Sequence, residues 1–280
     1  MKPDGTQAGS VIPGYRILNT KRSDSNLSIC VLASGSKGNA IFVSDGSTSI
    51  LFDAGLSGIE IERRLESKEL DPEQIDAIVV SHEHGDHIQG VGVLSRRYRL
   101  PVHITKKTHR AAGNFLGKLH MPVNFKCGNP FSIGSLAIHP FSISHDAVDP
   151  VGFTISRNGI RLGIATDLGI ATTMVREHLK GCDLIVMEAN HDSRMLSEGP
   201  YPWPLKQRVK SRAGHLSNDD AKVLLAEVKQ KRLKHVILAH LSETNNTQEK
   251  AVSRVGEAIS GSEINLVVAR QDCSSQMIQV

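Results

Sequence analysis

A four-layer αββα sandwich, with two β-sheets face to face and helices on both outer sides, is the α/β fold that this 280-residue sequence predicts. Three observations carry the expectation. Short β-rich apolar runs recur along the chain and alternate with stretches of helical spacing. The middle third reads as hairpins. Apolar runs repeatedly end on a histidine or an aspartate, which points to one domain of two similar halves with a polar site at a shared sheet edge.

The first 26 residues are rich in Gly, Ser, Asp, Lys and Thr and lack the apolar core of a secretory signal. They are expected to form a flexible tail, with 11–18 packing on the body, ahead of a domain over 27–280. β-rich runs cover 27–33, 40–43 and 49–53, and a helical stretch follows in which Ile59, Ile61, Leu65 and Leu70 are the apolar positions. Asp71-Pro72 leads into a strand over 75–80, then a histidine-rich loop, a helix over 88–98, a strand over 102–104 and a helix over 106–117. Hairpin strands are expected over 131–133, 136–141, 152–156 and 160–165, because Asn158-Gly159 accepts the positive φ of a tight turn. The remainder reads as a helix over 172–180, a strand over 183–187, helical segments over 191–197 and 219–230, a strand over 235–241, a helix over 247–259 and a strand over 264–268.

Hydrophobic content of 39% and charged content of 22% describe an ordinary globular chain, and a formal net charge of +4 permits an anionic partner without requiring one. No stretch approaches the roughly 18 apolar residues of a membrane span. Cys30, Cys127, Cys182 and Cys273 are scattered with no C-x-x-C, which fits a reduced, cytoplasmic setting better than a disulfide framework.

The densest chemical signal is His82-Glu83-His84-Gly85-Asp86-His87, directly after an apolar run. A loop turning at Gly85 lets neighbouring side chains converge, where an extended strand would send them to alternate faces. So many ligand-type groups at one strand end would repel or desolvate each other without a cation. A metal site is the economical reading. Asp53, His145, Asp167 and His240 each close an apolar run in the same way. Each alone is an ordinary polar strand terminus; the repetition strengthens all of them.

This order, Asp53, H-x-H-x-D-H, His145, Asp167, His240, resembles the motif series of the metallo-β-lactamase fold. Further stretches, Ala33-Ser34-Gly35-Ser36-Lys37-Gly38-Asn39, Asp53-Ala54-Gly55-Leu56-Ser57, Glu188-Ala189-Asn190-His191-Asp192, Gly214-His215-Leu216-Ser217-Asn218 and Ala239-His240-Leu241-Ser242, resemble the YycJ/WalJ-like exonuclease subfamily, related to the RNase Z and β-CASP nucleases. The resemblance implies two metal sites: His82, His84 and His145 for one ion, Asp86, His87 and His240 for the other, Asp167 bridging, and Asp53 orienting ligands. Imidazoles suit zinc, while carboxylates also admit manganese or iron. It further implies catalytic parts for Asp86, for His215 as proton donor or phosphate contact, and for Glu188 in orienting His215; a capping glutamate and a plain loop histidine are the alternative. The 34–39 loop, through backbone N–H groups and Ser34, Ser36, Lys37 and Asn39, is either a phosphate cradle or a simple tight turn.

Two basic runs are present. Arg96, Arg97, Arg99, Lys106, Lys107 and Arg110 form the first; Lys206, Arg208, Lys210 and Arg212 form the second, after Tyr201-Pro202-Trp203-Pro204 and ahead of His215. Either is a solvated face or a strand contact, and the second lies closer to the chemistry. The expectation is a two-metal hydrolase of nucleic-acid phosphodiesters, a DNA rather than RNA exonuclease, 5′-end directed and serving DNA repair. The rival is a small-molecule hydrolase such as a thioesterase, lactonase or cyclic-nucleotide phosphodiesterase. A non-catalytic metal-bearing regulatory protein is the second rival, against which the intact ligand set argues.

Overall fold

The computed structural model describes residues 27–280, so the expected tail and its 11–18 segment lie outside the described residues. The first sheet contains β1 (Ser28–Ala33), β2 (Ala40–Ser44), β3 (Ser49–Phe52), β4 (Ala77–Val79), β5 (Pro101–Thr105) and β6 (Met121–Phe125). The second contains β7 (Phe131–Ile133), β8 (Leu136–Ser142), β9 (Val151–Arg157), β10 (Ile160–Ala165), β11 (Leu184–Glu188), β12 (His235–Ala239) and β13 (Asn265–Val268). The chain then crosses back, and β14 (Ile278–Gln279) pairs with β1 on the edge of the first sheet.

The alternation along each strand sorts the core. Ile50 and Phe52 of β3 join the cluster between the sheets while Leu51 joins the outer one; Leu184 and Val186 of β11 point inward while Ile185 and Met187 point outward. Strands buried on both faces read as unbroken apolar runs, as parallel strands covered by helices do. Between the sheets Phe52 and Phe153 meet with ring centroids 5.2 Å apart. Outside the first sheet lie α1 (Gly58–Glu66), α2 (Gly85–Ile88), α3 (Val91–Arg97) and α4 (Lys106–Ala112); α5 (Thr173–Leu179), α6 (Ser193–Glu198), α7 (Trp203–Val209), α8 (Asn218–Val228) and α9 (Gln248–Gly256) accompany the second. Ser57, Thr105, Thr172, Ser217 and Thr247 cap five of them by accepting a backbone N–H.

Several boundaries differ from expectation. The helix over 88–98 is α3 alone; residues of the histidine loop form the short α2 before it, and the two are separated at Gly90, where a Cβ would lie 2.5 Å from the Leu56 carbonyl oxygen. The helix over 106–117 ends at Ala112 and continues as a 3-10 turn, Gly113–Phe115. Three elements, β6, α7 and β14, are additions. No helix among the described residues is long and apolar enough to cross a membrane.

β3 through β6 are parallel, as are β10 through β13. Their carboxyl ends release Asp53, the histidine loop, Asp167, Glu188 and His240 along one edge of the sandwich, the place where open parallel sheets receive ligands.

Candidate metal centre

The histidine loop is held from behind by the segment Asp53-Ala54-Gly55. Asn39 N–H donates to the Asp86 carbonyl (2.7 Å), Ala54 N–H to the His87 carbonyl (2.9 Å), and Gly90 N–H to the Ala54 carbonyl (2.7 Å). A Cβ on Gly55 would stand 1.6 Å from the Asp86 carbonyl oxygen, so this approach is open only to glycine. Backbone contact, rather than side-chain chemistry, thus places four ligand-type residues on one short loop.

Their donor atoms converge with those of later strands. His82, His84 and His145 form one group within 4.8 Å, Asp86, His87 and His240 another, and His82, His87 and Asp167 a third. His87 Nε2 lies 3.3 Å from Asp167 Oδ2 and 3.6 Å from Asp86 Oδ2, and His240 Nε2 lies 3.7 Å from Asp86 Oδ2. Asp167 therefore stands between the first two groups. His82 Nε2, Asp167 Oδ2 and His240 Nε2 are buried with no hydrogen-bond partner. Unpaired buried donors and acceptors aimed at one another call for a missing partner. A mixed imidazole–carboxylate set suits a divalent transition ion.

The network behind these atoms fixes their tautomers. Asp53 Oδ2 accepts from His87 Nδ1 at 2.7 Å and from Ser81 Oγ at 2.7 Å, and Asp53 Oδ1 accepts from Ser81 N–H at 2.8 Å. With its Nδ1 proton committed, His87 presents the Nε2 lone pair to the cluster. Glu188 does the same for His240, accepting from its Nδ1 at 2.9 Å, while Ser34 Oγ accepts the His240 N–H at 2.7 Å. Burial opposes charge on His240, but Asp167, Asp86 and Glu188 raise its pKa to about 10, so without an ion its Nε2 carries a proton, whose place a bound cation would take. Burial likewise opposes the Asp167 carboxylate, and His240 and His87 outweigh it, holding Asp167 well below the usual range. The carboxylates thus demand positive charge in their midst.

Glu188 also accepts from His215 Nδ1 at 2.8 Å through the same oxygen, and its second oxygen accepts the N–H groups of Leu168 (2.9 Å) and Leu216 (3.2 Å). Hydrogen bonds and both imidazoles bring its carboxyl down to about 2 against the opposing effect of burial. The sequence reading attached Glu188 to His215 alone; the structure adds His240. The His215 ring lies 5.3 Å from His145 and 5.0 Å from His240. Its position comes from α7: His215 N–H donates to the Val209 carbonyl at 2.9 Å, and a Cβ on Gly214 would meet that oxygen at 2.2 Å. Together these groups border an open cleft of about 250 Å³, lined by Ser36, His84, Asp86, His145, Arg208 and His215 among others.

The 34–39 loop departs from the phosphate-cradle expectation. Five of its N–H groups are committed within the protein: Ser34 to the Arg270 carbonyl, Gly35 to Asn39 Oδ1, Lys37 to Gln271 Oε1, Gly38 to the Gly35 carbonyl and Asn39 to the Asp86 carbonyl. Ser34 is buried beneath His240. Asn39 is buried, its Nδ2 3.2 Å from Asp86 Oδ2. Both support the centre from behind and do not face the cleft, because the loop closes on itself and on the C-terminal segment. Lys37 Nζ pairs with Glu243 at 2.6 Å, and Ser36 alone of the four lines the cleft. In the second basic run Lys206 Nζ donates to the Ser197 carbonyl at 2.8 Å, Arg208 pairs with Asp146 at 3.0 Å across the cleft, and Lys210 is exposed. Sequence reasoning missed Ser81 and Asp146; their adjacency to His82 and His145 was the only signal.

The β-lactamase superfamily domain model matches residues 48–240. The chain is 38% identical over 235 residues to the exodeoxyribonuclease YycJ of Bacillus anthracis, covering 83% of this chain and 89% of that one. It is 38% identical over 225 residues to the exodeoxyribonuclease WalJ of Streptococcus pneumoniae, covering 79% and 84%. Among solved structures, the metallo-β-lactamase fold protein YhfI of Bacillus subtilis superposes with a TM-score of 0.71 at 17% identity, over 91% of this chain and 100% of that one.

Proposed function

This chain belongs to the β-lactamase superfamily and, within it, to the family of the exodeoxyribonucleases YycJ and WalJ, and on that premise we propose that it is a metal-dependent exonuclease that removes nucleotides from DNA. His82, His84 and His145 would hold one divalent ion and Asp86, His87 and His240 a second, with Asp167 between the two groups. Zinc or manganese suits this set, and iron is also compatible. Bound there, such ions supply Lewis acidity and an activated water at neutral pH.

The residues of the chain perform the rest. Asp53 and Glu188 hold the Nδ1 protons of His87 and His240, so that both present lone pairs. Glu188 also accepts from His215 Nδ1 and fixes that ring, so that His215, when it carries a proton on both nitrogens, can hand the Nε2 proton to the departing sugar oxygen and keep its bond to Glu188. Arg208 and Lys210 attract the phosphate backbone, and Ser36 offers a hydroxyl to it. DNA is favoured over RNA because the relatives at 38% identity are exodeoxyribonucleases. Four free cysteines are in keeping with a cytoplasmic, reducing setting.

The observation that carries this reading is the Glu188–His215 pair beside the donor cluster, since a leaving alkoxide needs a proton at that spot. End-labelled DNA and RNA strands, with and without a 5′ phosphate, test it beside a panel of small esters. Chelator-sensitive shortening of labelled DNA from its 5′ end is expected. His215→Ala should slow it by about a hundredfold or more while the ions stay bound. Rapid turnover of the esters with every strand left intact would replace the reading with a small-molecule hydrolase.

A further inference from the structure

Against the histidine loop, outside the cleft that α7 borders, stands a second surface that the chemistry above does not use. Phe115 is 60% exposed, and its ring edge lies 3.9 Å from where a Cβ on Gly85 would be, so it abuts the outer wall formed by His84-Gly85-Asp86. Val148, 55% exposed, borders the same loop, its N–H donating to Glu83 Oε1 at 2.7 Å. Other exposed apolar side chains, such as Ile59, Met174 and Val252, project from separate helices and need no explanation. An exposed aromatic ring fixed against a candidate catalytic loop is different.

Its surroundings are cationic. α4 runs directly into the turn that carries Phe115, and Lys106, Lys107 and Arg110 are all exposed on it. Lys107 pairs with Asp149 at 3.5 Å, which ties α4 to the loop bearing His145. The side chains of Lys106 and Arg110, one helical turn apart on the same face, have neither an ion-pair nor a hydrogen-bond partner among the described residues. Within the rest of that basic run, Arg97 is spent on Glu62 and Arg96 donates to the carbonyls of Leu116 and Lys118, while Arg99 is exposed beyond the end of α3.

Resting on the nuclease reading above, we infer that Phe115 is a base-stacking platform and that Lys106 and Arg110 hold the flanking phosphates of a single nucleic-acid strand crossing the metal centre. An open ring beside two uncommitted cations complements a partner that alternates flat π-faces with negative charge, as a single strand does. The strand then lies between two anchors, α7 with Arg208 on one side and α4 with Phe115 on the other. The scissile phosphate sits at the centre and a neighbouring base is stacked outside it. Phe115 is accordingly a specificity-determining residue that makes the enzyme prefer long strands to dinucleotides.

The test compares wild-type, Phe115→Ala and Phe115→Trp holoenzyme on a long oligonucleotide and on a dinucleotide. It also follows the emission of 2-aminopurine in a phosphorothioate-linked strand that resists cleavage. Phe115→Ala should raise KM for the long strand by about tenfold or more and abolish the quenching that stacking produces, and Phe115→Trp should restore both. Lys106→Gln with Arg110→Gln should lower the salt slope of binding by about 1.4, the share of two phosphate contacts on a single strand. Unchanged KM, emission and slope in the variants, with wild-type protein digesting DNA, would overturn this surface and leave the nuclease reading standing. A wild-type protein that digests no nucleic acid would overturn both.

Discussion

At the scale of single residues, the candidate site is built at a conformational cost. Asp53, Asp167 and His240 have φ of 60°, 58° and 55°, the left-handed region in which a side chain with a Cβ is disfavoured. Each ends a strand, and the left-handed step turns the side chain out of the pleat into the cluster. Such strain, of order 1–3 kcal/mol per residue, persists where surrounding contacts dictate it. Asp53 shows what holds it: its carboxylate takes the proton of His87 and both donors of Ser81. Asn accepts the left-handed region, so Asp53→Asn should keep the backbone while removing the charge. Metal affinity, read by competition with a chelating dye, should fall about 10–100-fold with the fold intact. Unaltered affinity would dismiss Asp53 as an orienting group.

At the scale of elements, loops rather than side chains set the geometry. Gly55→Ala forces a methyl onto the Asp86 carbonyl oxygen at 1.6 Å, so the histidine loop must move. The expected result is loss of bound metal at near-native secondary structure, seen by elemental analysis beside circular dichroism; retained metal would show that the loop is not clamped from behind. This scale also explains what could be read from the sequence. β3, β11 and β12 were legible because strands buried on both faces are uninterrupted apolar runs, and β10 through its Asn158-Gly159 turn; polar strand ends marked Asp53, Asp167 and His240 without any structure, while Glu188 rested on the family resemblance. β6 escaped because most of its side chains are exposed and Pro122 breaks the pattern. α7 was hidden by Pro202 and Pro204, which read as loop but are tolerated at a helix start. The double commitment of Glu188 was illegible for another reason: it depends on β11 and β12 being neighbours with Glu188 opposite Ala239, a register that no local pattern encodes. The 34–39 loop misled because glycines and hydroxyls read alike whether N–H groups face a ligand or their own chain.

For the whole molecule, the sandwich is clipped at both ends. The C-terminal segment binds the site end, where Gln271 grips Lys37 N–H (2.8 Å) and the Gly38 carbonyl (3.0 Å) before the chain continues to β14. At the opposite end Asp45, after β2, pairs with Arg157 of β9 and accepts from Ser135, joining the two sheets. Burial works against the Asp45 carboxylate, but hydrogen bonds from Ser135, Thr48 and Ser47 lower its pKa from 3.8 to about 2. A carboxyl depressed in the folded state contributes stability above its unfolded pKa and loses it as pH falls through the folded one. The stability difference between wild type and Asp45→Asn in denaturant titrations should therefore be full above about pH 4 and shrink towards pH 2. A difference independent of pH would mean that the clip is not ionic.

In the proposed centre, strand ends from both sheets gather a pair of divalent ions. Elemental analysis of the purified protein, with His240→Ala and His145→Ala beside it, tests that most directly. About two transition ions per wild-type chain, falling towards one in each variant, is the predicted result. Wild-type protein with no stoichiometric transition ion, or variants that retain the full complement, would contradict it.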